Sequence, residues 1–172
     1  MKRTIKVILF AVFFAASNLL NAQATLKLGH IDTQALIAAM PETKIAQTNL
    51  EKEAKSLEEA MEIMEVEYRN KLNDYVQKRD SLVALVRANR EQELQELQQR
   101  IQGFEQQAQQ QLQQKQQELF KPIMAKAKKA IEDVARENSF YYIFEMSTGA
   151  IVYASPESTD ILALVKKKLG IL

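Results

Sequence analysis

The chain has 172 residues, with 23 Lys and Arg against 22 Asp and Glu and no cysteine. Its formal net charge of +1 gives no global basic character that would favour nucleic acid, and without cysteine it can form neither disulfides nor a lipid-modified amino-terminal cysteine. His30 is the single histidine, and no carboxylates cluster at ligand spacing. We therefore expect no metal and no cofactor, and we assign His30 a structural role.

The amino terminus has the pattern of a secretory signal peptide. A basic start, an apolar run and an AQA sequence follow one another, at Lys2, Arg3 and Lys6, at 7–16 and at 22–24. The apolar run is too short to favour the alternative, a retained membrane anchor, because a transmembrane helix needs roughly 20 apolar residues. We predict cleavage near Ala24 and export of a mature chain with 20 Lys and Arg against 22 Asp and Glu.

Residues 26–32, LKLGHID, predict a strand, after which a short helix leads to a long helical segment at 42–138. Gly103 and Pro122 are the only helix breakers in that segment, which is rich in good helix formers. Pro122 cannot donate a backbone hydrogen bond within a helix, so we predict a kink or joint there. A tolerated irregularity in a rigid helix is the alternative.

Apolar residues in the long segment repeat at steps of three and four, which is typical of a coiled-coil seam. The first half of the seam contains Leu50, Ala54, Leu57, Met61, Met64, Tyr68, Tyr75 and Leu82, and the second half contains Leu94, Leu97, Ile101, Phe104, Ala108 and Leu112. A single helix would be about 145 Å long, whereas a hairpin gives two antiparallel limbs of about 65 to 70 Å. We predict the hairpin, with its turn in 80–90 and a helix cap at Asp80-Ser81 or at Asn89, which opens a capping-box sequence.

Glutamine occupies 14 of the 26 positions in residues 92–117. A disordered glutamine tract would have no reason to keep Ile101, Phe104, Ala108 and Leu112 on one helical face, so periodicity argues against that alternative. Glutamine is a good helix former that solvates an exposed face without adding charge. We predict that the tract is the solvent-facing side of a helix.

Residues 141–155, YYIFEMSTGAIVYAS, contain two β-branched and aromatic runs on either side of a turn sequence, and they predict a β-hairpin. ILALVKKKL at 161–169 predicts a short helix, which Asp160 can cap and Gly170 follows. Three strands and two short helices bury too little apolar surface for a stable monomer, and they leave sheet edges unpaired. We therefore predict oligomerisation through the sheet.

Two stretches that overlap the ends of the helical segment are similar to the Skp family, also called OmpH, of Gram-negative periplasmic chaperones. They are LKLGHIDTQALIAAMPETKIAQTNLEKEAKSLE at 26–58 and AIEDVARENSFYYIFE at 130–145, with the predicted hairpin and Asp160-Ile161 after it. The likeness covers essentially the whole mature chain. It implies a homotrimer whose small β-body carries three helical arms around a cavity. It also implies a periplasmic, ATP-independent holdase that keeps unfolded outer-membrane β-barrel proteins soluble.

The expected fold class is α+β, with a small β-body formed on trimerisation and a long antiparallel coiled-coil hairpin as the arm. The expected divisions are a signal peptide at 1–24, a body at 25–41 and 139–172, and an arm at 42–138 with its turn near 80–90. Pro122 is the candidate joint between arm and body. The candidate trimer contacts in the body are Leu26, Leu28, Ile143 and Val152.

The candidate client contacts lie on the first limb of the arm, where thioethers and aromatic rings offer adaptable apolar surface. They are Ile63, Val66, Met61, Met64, Tyr68 and Tyr75. The last four also occupy the seam, so packing between the limbs is their alternative role. Ile63 and Val66 lie off the seam and are the better candidates.

Charge is unevenly distributed along the arm. Residues 51–67 hold seven Glu against two Lys, whereas residues 68–90 carry an excess of basic residues. The basic arm tip consists of Lys78, Arg79, Arg87 and Arg90. It could engage clients or an anionic membrane or lipid surface, although charge runs are often only solvated faces.

Two other classes of protein compete with the chaperone. No concentrated set of acid, base and nucleophile points to an enzyme. A structural or adaptor coiled-coil protein in an envelope assembly is the stronger rival, but the adaptor families that use such hairpins usually carry additional β domains. This chain is too short to contain them.

Overall fold

A computed structural model describes residues 26–171, so the predicted signal peptide at 1–24 lies outside the described residues. The elements in chain order are β1 (Leu28–Ile31), α1 (Thr33–Ala39), α2 (Pro41–Lys78), a short 3-10 helix (Arg79–Ser81), α3 (Ala84–Glu137), β2 (Tyr142–Glu145), β3 (Thr159–Asp160) and α4 (Leu162–Leu169). Long helices and one small sheet make this a mostly helical α+β chain, as expected.

The sheet is parallel throughout, with β1 in the middle of the order β2-β1-β3. Leu28 pairs with Tyr142, and His30 pairs with Phe144. The strand passes directly into α1 because the Asp32 side chain caps that helix, accepting a hydrogen bond from the Ala35 amide at 2.9 Å.

The predicted β-hairpin at 141–155 is wrong. Its turn forms, with Gly149 at a φ of 71° and its amide donating to the Met146 carbonyl, but residues 151–155 do not return along β2. The two edges of β1 are instead occupied by β2 and by the two-residue β3 at Thr159–Asp160. The outer edge of β2 stays free, since β2 pairs only with β1, so strand propensity by itself did not place residues 151–155 beside it.

Helices α2 and α3 pack side by side and run in opposite directions. Side-chain hydrogen bonds link Glu42 to Lys126, Glu53 to Gln111, Lys71 to Glu93 and Tyr75 to Glu91, so residue numbers rise on one helix as they fall on the other. The seam residues lie between the helices: Leu94 and Leu97 are buried, and most of the others are half-buried. All 14 glutamines of residues 92–117 are exposed, within one continuous helix.

The chain reverses between Lys78 and Ala84, and neither predicted cap starts α3. The cap position of α3 is Val83, which makes no side-chain cap hydrogen bond. Asn89 lies inside the helix, because Ala84 to Ala88 are helix formers that extend it beyond the local capping signal. Ser81 acts on the preceding helix, where its hydroxyl donates to the Lys78 carbonyl at 2.7 Å.

The core of the body draws on both ends of the arm. It consists of Ile31, Leu36, Met40, Ala46, Ile123, Ala127, Ala130, Val134, Ile161 and Val165. The arm predicted from the sequence, residues 42–138, includes Ala46 and the core residues that belong to α3. Helix α3 continues through Pro122, which directly precedes the first of its core residues, Ile123.

Glu145 ties β2 to the start of α1, and it should make the body sensitive to acid. Partial burial raises the pKa of Glu145, but hydrogen bonds from the Ser147 amide at 2.8 Å and the Thr33 amide at 3.2 Å lower it more. A carboxyl whose pKa falls on folding stabilises the protein above its unfolded pKa of about 4.3, and this stabilisation is lost as pH falls through the folded value.

Between pH 6 and pH 3 the unmodified protein should lose free energy of unfolding as Glu145 is protonated. We therefore expect this loss to be about 1 kcal/mol smaller in Glu145→Gln, since about 1 kcal/mol is the usual contribution of a capping side chain. Urea unfolding across this range measures it. Glu118→Gln, at an exposed position on α3, is the control. Identical pH profiles for Glu145→Gln and the unmodified protein would contradict the expected role.

Candidate functional site

The candidate client contacts on α2 separate into two groups. The seam residues Met61, Met64, Tyr68 and Tyr75 are half-buried between the helices. Ile63 and Val66 are 70% and 39% exposed, on the side of α2 that faces away from the seam. The arm therefore presents these two apolar side chains to any molecule beside it, whereas the seam residues are shared with packing.

Tyr75 lies in a polar network that joins the two helices near the tip. Its hydroxyl donates to Glu91, and this hydrogen bond raises the pKa of the Tyr75 phenol. The Lys71 ammonium donates to Glu93, whose pKa it lowers, and the Arg90 guanidinium also donates to Glu93 at 3.0 Å. The network is consistent with a packing role for Tyr75.

The tip of the arm combines basic and apolar side chains. Lys78 is paired with Asp74, and Arg90 with Glu93. Among residues 26–171, no carboxylate lies within 4 Å of the Arg79 or Arg87 guanidinium, so these two charges are locally unneutralised.

Sequence reasoning missed the apolar component of the tip, which we name the tip patch. It consists of Val76, Val83, Leu85 and Val86, exposed by 65%, 68%, 73% and 39%. Three of these residues fall in the short sequence VALV at 83–86, off the heptad seam. An apolar cluster outside the seam was the signal that could have revealed it.

A groove lies on one flank of the arm, between α2 and α3, and we name it the arm groove. Its apolar floor is formed by Ala54, Leu57, Met61, Ala108 and Leu112, and its rim by Glu58, Glu62, Glu65, Arg69, Glu105 and Gln109. The volume is about 620 Å³. The acidic run at 51–67 was noticed in the sequence, but its position beside an apolar floor was not.

The sheet of the body has one covered face and one bare face. Ile31 is buried against the helices, and Ile143 packs against the same core. On the opposite face Leu28, Tyr142 and Phe144 are 39%, 64% and 39% exposed. Side chains that share a face in register therefore form an apolar surface with no helix over it.

Of the remaining candidate trimer contacts, Leu26 lines a cavity beside this bare face, and Val152 lies between Ile151 and Tyr153, which also line it. Leu26 is 60% exposed, and Val152 is 97% exposed. The cavity has a volume of about 480 Å³, and Leu28 and His30 form part of its lining. His30 is held by a hydrogen bond of 2.9 Å between its Nδ1 and the Ser158 hydroxyl, in keeping with a structural role. Ile143 alone of the four candidates belongs partly to the core.

Within residues 26–171, no group of three or more histidine, cysteine or carboxylate side chains could hold a metal ion. None of the helices in the same range combines the length and apolar character that crossing a membrane requires.

The comparisons with known proteins agree with the resemblance seen in the sequence. Residues 27–169 match the family model described as outer membrane protein (OmpH-like). The search of curated proteins found no match. Membership of this family suggests a periplasmic chaperone of outer-membrane proteins, and the matched region spans β1 to α4. The chain belongs to the OmpH-like outer membrane protein family.

Proposed function

We propose that the mature protein is an ATP-independent periplasmic holdase, which binds unfolded outer-membrane proteins in a cavity between helical arms and prevents their aggregation. The observation that carries this proposal is the series of isolated apolar side chains exposed along the arm. Ile45, Ile63, Val66 and Met124 are all exposed. Scattered apolar contacts of this kind bind many sequences weakly, which suits a client without fixed structure.

The proposal includes assembly into a homotrimer through the body, which the family resemblance implies. Parallel sheets are normally covered on both faces, because their strands are joined by helices that pack against them. Here one face is bare and apolar, and residues 151–155 have strand-forming side chains but no strand partner. A second copy of the same chain can cover the face and pair with this segment.

The test is suppression of aggregation. A urea-unfolded outer-membrane barrel protein is diluted into buffer without ATP, and light scattering is recorded with increasing amounts of the mature chain. We expect scattering to fall to near background at about one assembled protein per client. Unchanged scattering at a tenfold excess of the chain would contradict the holdase.

We also propose that the arm tip contacts anionic lipid surfaces. Arg79, which is exposed, and Arg87, which is half-buried, supply attraction to negative head groups. The tip patch supplies apolar side chains that can enter the interface. A basic and apolar surface at the end of a long arm can reach a membrane while the body remains distant.

Replacing Val83 and Leu85 together with serine should weaken binding to anionic vesicles about tenfold, since partial burial of each side chain contributes about 0.7 kcal/mol. Co-sedimentation with vesicles containing one-third phosphatidylglycerol measures it. Ile45→Ser, which removes an exposed apolar side chain far from the tip, is the control. Equal binding to purely zwitterionic vesicles would contradict the charge component.

A further inference from the structure

The arm groove is formed where the coiled-coil seam contains small side chains. Ala54 on α2 and Ala108 on α3 occupy seam positions and line the groove, where larger residues would fill the space between the helices. On the other flank the helices are linked by a hydrogen bond from the Gln111 amide to the Glu53 carboxylate at 2.5 Å. The opening is therefore confined to one side of the arm.

The rim of the arm groove carries an unbalanced negative charge. It contains four glutamates and one arginine, Arg69, which lies 3.6 Å from Glu65. Among the described residues 26–171, no lysine or arginine lies within 4 Å of the Glu58, Glu62 or Glu105 carboxylates. These three carboxylates are therefore free to bind a cationic partner.

The dimensions of the arm groove set the size of that partner. From Ala54 to Arg69 the helix advances about 22 Å, at 1.5 Å per residue. An extended chain of about seven residues covers the same length, at about 3.3 Å per residue. The groove is thus long enough for a short peptide segment.

We propose that the arm groove binds extended client segments of about seven residues in which apolar side chains are flanked by lysine or arginine. The apolar side chains contact the floor, and the ammonium or guanidinium groups meet Glu58, Glu62 and Glu105. A segment with Asp or Glu at the same places is repelled by the rim, so the groove selects against it. This inference rests on the proposed chaperone function, and it adds a local charge preference to a chain that has almost no net charge.

The preference is measured with three labelled heptapeptides: alternating leucine and lysine, alternating leucine and glutamate, and alternating serine and lysine. Fluorescence anisotropy with the mature chain at about 50 mM salt gives the affinities. We expect the leucine–lysine peptide to bind at least tenfold more tightly than either of the others, because each of the others lacks one of the two required features. Equal binding of the lysine and glutamate peptides would overturn the inference.

The site is assigned with matched charge variants. Glu58→Gln, Glu62→Gln and Glu105→Gln together should reduce the affinity for the leucine–lysine peptide about tenfold. The control triple variant Glu59→Gln, Glu67→Gln and Glu118→Gln removes the same charge from positions outside the groove, and we expect less than a twofold change. Equal losses in the two triple variants would show that the peptide responds to overall charge and not to the groove.

A second variant tests the floor without altering charge. Ala108→Met places a longer apolar side chain in the groove, and we expect about a fivefold loss of affinity for the leucine–lysine peptide. Unchanged affinity in a folded Ala108→Met protein would mean that the peptide binds elsewhere.

The aggregation assay separates this inference from the chaperone proposal. If the unmodified chain suppresses aggregation but shows no peptide preference, the inference is wrong and the proposed function stands. If the unmodified chain does not suppress aggregation, the proposed function is wrong, and the inference about client segments is wrong with it.

Discussion

A single charge at Val152 is expected to dissociate the proposed trimer while leaving each chain folded. Val152 is 97% exposed in the single chain, so Val152→Asp should change the stability of the chain itself by about 0.5 kcal/mol or less. Where a neighbouring copy covers residue 152, as the proposed interface requires, the same carboxylate would be buried without a partner. That costs several kcal/mol at each copy of the interface.

Sedimentation velocity at micromolar concentration measures the expected change, from a trimer to a monomer. Gln110→Asp is the matched control, because it introduces the same charge at an exposed position on α3. Circular dichroism of both variants verifies that the helices remain. A Val152→Asp protein that stays trimeric would place the interface elsewhere in the body.

Ile143, the other candidate in the predicted hairpin, cannot serve the same purpose. Its side chain packs against the core, and a Cβ added at Gly29 would lie only 2.9 Å from the Ile143 Cδ1 atom. A charge at Ile143 would therefore disrupt β1, β2 and the core together. Loss of assembly in Ile143→Asp would not distinguish a lost interface from an unfolded body.

The affinity for an unfolded client is expected to depend only weakly on salt concentration. The predicted mature chain has 20 Lys and Arg against 22 Asp and Glu, so bulk positive charge cannot supply the attraction. Raising salt from 0.1 M to 1 M shortens the Debye length from about 10 Å to about 3 Å. If apolar contacts along the arm dominate, this change should weaken client capture less than tenfold, which corresponds to less than about 1.4 kcal/mol.

The rates of client capture and client release should distinguish the contribution of apolar contacts from that of charge. Replacing Ile63 and Val66 with asparagine should mainly speed release, by about tenfold, because exposed apolar side chains hold a client that is already bound. Reversing the four charges of the basic arm tip should mainly slow capture, since exposed charges steer encounter. The four charges are those of Lys78, Arg79, Arg87 and Arg90.

Stopped-flow binding of a urea-unfolded barrel protein at several salt concentrations measures both rates. The control replaces Gln95 and Gln99, two exposed residues of α3, with asparagine. A hundredfold loss of affinity in high salt would favour an electrostatic grip, and unchanged release from the Ile63 and Val66 variant would exclude the apolar one. The charge selectivity proposed for the arm groove does not conflict with weak salt dependence. A heptapeptide makes few contacts and depends strongly on the rim charges, whereas a whole client also makes many apolar contacts along the arm.

Local patterns predicted the helical parts of this protein well. A helix places residues three and four apart on one face, so the heptad spacing was enough to identify the seam and the exposed glutamines. The same reasoning separated Ile63 and Val66 from the half-buried Met61 and Met64. Near the start of α4 the Asp160 carboxylate accepts a hydrogen bond from the Leu162 amide at 2.9 Å, and Gly170 ends the helix with its amide donating to the Lys167 carbonyl.

By itself, then, the sequence determined the family, the long helices and which of their faces meets solvent. Tertiary structure decided the rest. Residues 151–155 have the side chains of a strand, but they leave the outer edge of β2 unpaired, and the second edge of β1 is taken by the distant β3. The core at the base of the arm and the arm groove likewise depend on how α2 and α3 face each other. Contacts between residues far apart in sequence set these features, and no local spacing records them.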